Sequence, residues 1–167
     1  PLFILHVLNC LYMENILITG ISGQDGVFLT SEILKNNPTH NIYGITRQKN
    51  KEVFFGKLNT ISSTDNQKVK LLNIDLNNLH ETSKLIEDIR PDCVYNLSGP
   101  SSVYDSFINP YETKSQITRI FENLTNPLIK LGLFSNFYQA SSSEMFGLHA
   151  EERLSEESTF NPNSPYA

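Results

Sequence analysis

An open, doubly wound α/β sheet is the fold class this sequence predicts, for three reasons. Short apolar runs alternate with longer amphipathic segments from Asn15 onward. The first run leads directly into a glycine-rich turn, Gly20-Ile21-Ser22-Gly23-Gln24-Asp25-Gly26. The runs are brief and flanked by Gly, Asp or Asn, which favours strand over buried helix. Strand and helix repeated in this order make β-α-β units, and hence a parallel sheet with crossover helices.

Five strands are expected, at 16–19, 42–46, 69–74, 93–97 and 137–141, with helices at about 25–36, 78–89 and 110–132. The last helix opens well, with Asn109 as cap and Pro110 at its first position. It carries Ile117, Ile120, Phe121, Leu124, Leu128 and Leu131 on one face. Pro127 lacks a backbone donor and clashes with the preceding turn, so a kink or break is expected near 123–126. The stretch 48–67 is polar and weakly periodic and reads as an irregular excursion; 147–164 reads as an acidic loop. No internal repeat or low-complexity tract is evident.

At 167 residues, with 39% hydrophobic and 19% charged residues, the chain has the balance of one soluble globular domain. A net charge of -5 without a Lys/Arg run argues against a nucleic-acid footprint or an anionic-membrane patch, while leaving room for a local basic pocket for one phosphate. A small-molecule partner is expected. Cys10 and Cys93 lack C-x-x-C spacing, and His6, His40, His80 and His149 are scattered, so neither a disulfide framework nor a metal site is expected. A reducing cytoplasm fits. Residues 1–12 are apolar but too short for a bilayer span of roughly 20 residues and lack a signal peptide's basic flank. They read as an extension of doubtful relevance, with the domain running from Met13 over 13–167.

The glycine turn follows a strand and opens a helix, the setting of a dinucleotide phosphate site. Gly20 permits the tight turn, Gly23 lets backbone approach a pyrophosphate, and Gly26 lets helix and strand pack closely. Gln24 and Asp25 are counted with them as cofactor-binding candidates. The spacing is G-x-x-G-x-x-G rather than G-x-G-x-x-G. The second strand ends Gly44-Ile45-Thr46-Arg47-Gln48-Lys49 with no acid to bind a ribose 2′-hydroxyl, which favours NADP over NAD through Arg47. A merely solvated Arg47 is the competing reading. Asp75 and Leu76, after the third strand, could meet the adenine, or Asp75 could cap a helix; Leu97, ending the fourth strand, completes the set. Tyr138-Gln139-Ala140-Ser141-Ser142-Ser143-Glu144-Met145-Phe146-Gly147 then puts hydroxyls and a carboxylate at the end of the fifth strand, where open α/β sheets bind ligands.

Four segments together resemble the GDP-mannose 4,6-dehydratase family of the extended short-chain dehydrogenase/reductases: ITGISGQDG (18–26), YNLSGPSSV (95–103), FYQASSSEMFG (137–147) and FNPNSPYA (160–167). The resemblance implies a Rossmann-type doubly wound sheet, incomplete at about five strands, with a C-terminal substrate domain missing. It implies an NADP-dependent hydro-lyase converting GDP-mannose to its 4-keto-6-deoxy product, in which the hydride is returned internally. By the same resemblance Ser142 hydrogen-bonds the sugar 4-hydroxyl, Glu144 is the general acid/base, and Tyr166 deprotonates the 4-hydroxyl and also contacts the cofactor. Glu144 discriminates, because related epimerases carry S-S-A-A-V-Y-G with no acid there; Ser143 in place of an Asp separates the chain from dTDP-glucose dehydratases.

Departures from the family pattern are Gly99-Pro100 for Ala-Gln, Asn163 for Arg, Gln48 for a second Arg, and Pro127 within a helix. The family's lysine, four residues beyond the catalytic Tyr, falls past Ala167, so the chain is expected to be a fragment without turnover, and the full-length protein a homo-oligomer. The alternatives are another sugar-nucleotide epimerase or decarboxylase of the superfamily, and a non-catalytic NADP-binding module.

Overall fold

The computed structural model describes residues 14–48, 51–63, 65–148 and 153–167. The expectations for residues 1–12, for Met13 and for His149 fall outside them. Strands β1 (Asn15–Thr19), β2 (Asn41–Ile45), β3 (Val69–Leu72), β4 (Cys93–Asn96) and β5 (Asn136–Gln139) form one parallel sheet in the order β3-β2-β1-β4-β5. The helices are α1 (Gln24–Asn36), α2 (Lys51–Ile61), α3 (Leu79–Ile89), α4 (Val103–Ile108) and α5 (Pro110–Lys130), and a 3-10 helix spans Ser143–Phe146.

Alternation along each strand makes two cores. Ile16, Ile18, Cys93, Tyr95, Val69 and Leu71 face α1 and α2, meeting Leu29, Leu34, Phe54 and Leu58. Leu17, Ile45 and Val94 face the other way, onto Leu85 and Ile86 of α3 and Ile120, Leu124 and Leu128 of α5. Helices on both faces are what a parallel sheet requires, since neither face can be left to water. At its start β1 is pinned by Asp92, whose Oδ2 accepts the backbone N–H groups of Glu14 and Asn15, each at 2.9 Å.

Two expectations are corrected. The stretch read as an irregular excursion contains α2, because Phe54 and Leu58, spaced four apart, bury one narrow stripe against the sheet while the rest of the helix stays solvated. Pro127 does not break α5, which runs unbroken from Pro110 to Lys130. Only one turn remains beyond it, and the buried Leu124 and Leu128 on either side hold the helix onto the sheet. Asn123 Nδ2 adds a bond to the Leu76 carbonyl at 2.8 Å. Asn109 is the N-cap of α5 as expected, without a side-chain capping bond. The short helix α4, not anticipated, is capped by Ser102, whose Oγ accepts from Asp105 N at 3.1 Å.

Candidate functional site

The chain order reverses between β1 and β4, and the crevice at such a switch point, beyond the strands' carboxyl ends, is where open α/β sheets take ligands. A cleft of about 630 Å³ lies there. Its walls are the turn after β1 (Gly20, Ser22, Gly23), the segments after β2 (Ile45 to Gln48), β3 (Ile74 to Asn77) and β4 (Leu97 to Ser101), and Gln116 and Ile120 of α5.

The glycine turn has the geometry its sequence predicts. Gly20 sits at φ +67, and a β-carbon there would lie 2.7 Å from the Leu97 carbonyl oxygen, so the turn and the β4 end touch through backbone. A β-carbon on Gly26 would lie 2.5 Å from the Ile21 carbonyl oxygen, which makes this glycine the condition for α1 to lie close against the turn. Gly23 caps α1 without a side-chain bond, leaving the first-turn N–H groups for an outside acceptor.

Beyond β2, Ser22 Oγ and Thr46 Oγ1 are hydrogen-bonded at 2.8 Å, and Gln48 N donates to Thr46 Oγ1 at 3.0 Å. Arg47 projects from the same segment, exposed and without an ion-pair partner among the described residues. Asp75 supplies the lining's carboxylate, but its Oδ1 accepts from Asn77 N and Asn77 Nδ2, at 3.0 and 3.1 Å, closing a turn. Asn78, not Asp75, caps α3, its Oδ1 accepting from His80 N and Glu81 N.

Of the residues predicted to hold a cofactor, Gly20, Gly23, Arg47, Asp75, Leu76 and Leu97 line the cleft. Gln24, Asp25, Gly26 and Tyr166 do not: α1 turns Asp25 toward a second cavity of about 670 Å³, and Gly26 is buried in packing. The site residues sequence reasoning missed are Ser22, Thr46, Ser98 and Gln116 of the lining, with buried Thr19 and Asn96 behind it. A readable signal existed for two of them, because Thr19 and Asn96 are polar residues closing otherwise apolar strands.

The second group gathers at the end of β5. Ser142 caps the 3-10 helix, its Oγ accepting from Glu144 N at 3.2 Å, so hydroxyl and carboxylate share one turn. Ser141 before them has φ 56, a left-handed conformation that turns the chain sharply. The segment leading to Tyr166 folds back onto this turn: Asn161 N donates to Met145 O at 2.9 Å, and Phe160 meets Phe146 edge-on at 5.4 Å. No hydrogen bond joins Tyr166 to Ser142 or Glu144 among the described residues. Ser142 lines the second cavity, beside Tyr138 and Phe28, rather than the cleft. Among the described residues there is no group of metal-ligating side chains and no helix long and apolar enough to cross a membrane.

Strand order, glycine turn and switch-point cleft define an open α/β domain of the Rossmann type. Solved structures share it: the UDP-Glc/GlcNAc 4-epimerase of Campylobacter jejuni superposes with a TM-score of 0.77 at 23% identity, over 92% of this chain and 44% of that one. The UDP-glucose 4-epimerase of Bifidobacterium longum, solved with NAD+ and UDP, gives 0.77 at 19% identity, over 91% of this chain and 44% of its own.

Sequence separates what the fold leaves together. The chain belongs to the GDP-mannose 4,6-dehydratase family, whose model matches residues 17–167. It is 35% identical over 159 residues to GDP-mannose 4,6 dehydratase 2 of Arabidopsis thaliana and 33% over 155 to the GDP-mannose 4,6-dehydratase of Vibrio cholerae, in each case over 90% of this chain. It spans 42% and 41% of the length of these relatives.

Proposed function

We propose that this chain is the dinucleotide-binding and acid/base part of a sugar-nucleotide 4,6-dehydratase acting on GDP-mannose with NADP. The observation that carries the reading is the pairing of Ser142 and Glu144 on one turn at the end of β5, in the row of strand ends that also walls the cleft. An epimerase needs no carboxylate there; elimination of water does.

The cleft suits a dinucleotide. Gly20 and Gly23 bring bare backbone to the cleft wall, at a helix start that favours phosphate. Arg47 is free to pair with a 2′-phosphate, and the segment Thr46 to Gln48 holds no acid to oppose it. When bound, the nicotinamide supplies a hydride acceptor that later gives the hydride back. The chain's own residues move protons: Tyr166 Oη takes the proton from the sugar 4-hydroxyl, which Ser142 Oγ orients. The resulting C4 carbonyl acidifies C5, so the Glu144 carboxylate removes the C5 proton and delivers it to the departing C6 hydroxyl as water; the proton Tyr166 took from the 4-hydroxyl balances the one C5 regains when the hydride reaches C6.

The test uses the protein that carries this chain, supplied with NADP and GDP-mannose deuterated at C4. A 4-keto-6-deoxy product with deuterium at C6 and no net reduction of NADP is expected, and Glu144→Gln should lower turnover by about 10² or more. An epimerised sugar, or a Glu144→Gln variant that turns over normally, would sink the reading.

A further inference from the structure

Three adjacent strands each end in a polar residue, and their side chains are bonded in a row. Thr19 Oγ1 donates to Asn96 Oδ1 at 2.6 Å, and Asn96 Nδ2 donates to Gln139 Oε1 at 2.8 Å. Thr19 and Asn96 are 0% and 1% exposed. With its hydrogen committed to Asn96, the Thr19 oxygen receives the backbone N–H groups of Leu97 and Ser98, each at 3.2 Å. Those two residues form the cleft wall that touches the glycine turn.

The two ends of an asparagine amide are nearly the same shape, so its partners decide which way it points. Were Nδ2 to face Thr19, the Thr19 oxygen would accept that N–H and one of the two backbone donors would lose its place. An unpaired donor is costly even in the partly buried setting of Leu97 and Ser98. Gln139 Oε1 is the acceptor that draws Nδ2 the other way. We propose that Gln139 is a positioning residue. From the edge strand, outside the cleft, it fixes the Asn96 amide and, through Thr19, holds the Leu97–Ser98 wall in the shape that receives the dinucleotide. The last step rests on the reading of the cleft given above. The same row ties that wall to the turn of Ser142 and Glu144, which follows Gln139 in the chain, and the Ala140 N–H bonded to Asn96 O at 3.1 Å runs alongside it.

The test compares the chain with Gln139→Leu and Gln139→Glu. Gln139 is exposed, so Leu removes the acceptor with little loss of packing, while Glu keeps an acceptor oxygen. Two quantities are read: hydrogen exchange at the Leu97 and Ser98 amides, and the dissociation constant for NADPH. In Gln139→Leu those amides should exchange about tenfold faster, and NADPH should bind roughly three- to tenfold more weakly, the effect of losing one hydrogen bond. Gln139→Glu should restore amide protection. Unchanged protection in Gln139→Leu, or an equal loss in Gln139→Glu, overturns the proposal. If the unsubstituted chain binds neither NADPH nor NADH, the dinucleotide reading falls, and the exchange comparison alone decides whether Gln139 sets the wall.

Discussion

Strands β1 and β5 lie in the same parallel sheet, yet one is sealed and the other is not. Ile16, Leu17 and Ile18 of β1 are all 0% exposed, whereas no residue of β5 is buried, although Phe137 and Tyr138 are large and apolar enough to be. Leu17, Val94 and Phe137 stand in one row across the sheet, so register does not explain the contrast. Neighbours do: among the described residues β1 has a strand on each side and helices on both faces, while β5 has β4 as its neighbouring strand and only fringes the two cores, where Tyr138 meets Tyr95 and Phe137 meets Phe121. Apolarity offers burial, and the number of packed neighbours decides it. The cleft is built on the sealed side, whereas Ser142 and Glu144 hang from the open edge.

The largest effect should come from truncating that row. Leu17→Ala is expected to destabilise the chain by about 2–5 kcal/mol, and Phe137→Ala by about 1 kcal/mol despite its larger side chain, both read from urea unfolding. Equal losses would mean that β5 is as well supported as β1. Next is Gly26→Ala on the sealed side. Glycine to alanine in a helix normally stabilises, but here the added carbon meets the Ile21 backbone, so a loss of about 1–3 kcal/mol is expected in the same assay.

A functional contrast follows. Arg47→Ala should weaken NADPH binding roughly tenfold and leave NADH binding within about twofold, measured by titration; equal weakening of both would detach Arg47 from the 2′-phosphate.

The smallest effect lies at the opposite end of the sheet. His40 is 4% exposed, shares a hydrogen bond with Asn37 Nδ2 through Nε2 at 3.0 Å, and has a buried Nδ1 without a partner among the described residues. Burial lowers its pKa from 6.5, against the opposing pull of Asp92. A folded-state pKa below the unfolded one means that the unfolded chain takes up the proton first. Stability is therefore full above about pH 6.5 and falls as the pH drops below it. His40→Gln should flatten that part of the unfolding-midpoint curve, and an unaltered slope would place the titration elsewhere.

The sheet and its glycine turn were legible because strand alternation and the Gly20 to Gly26 spacing are local signals. Helix α2 was not, since its buried face amounts to Phe54 and Leu58 and only the sheet behind it makes that stripe meaningful. Pro127 misled for the same reason, because a propensity penalty counts for less where Leu124 and Leu128 are packed on either side. Of the cleft's lining, Gly20, Gly23 and Arg47 are legible from residue type and order. Gln24 and Asp25 do not line the cleft, because the direction in which α1 leaves the turn decides what their side chains face.

The sequence by itself determined which residues form strands, where the glycine turn lies, and that a serine and a carboxylate follow β5, since each depends on contacts between near neighbours in the chain. Only the tertiary structure decided that Thr19, Asn96 and Gln139, far apart in sequence, close one row behind the cleft, and that β5 stays open while β1 is sealed. Those outcomes depend on which strands lie side by side, and a hydrogen bond or a buried face exists only once both partners have arrived.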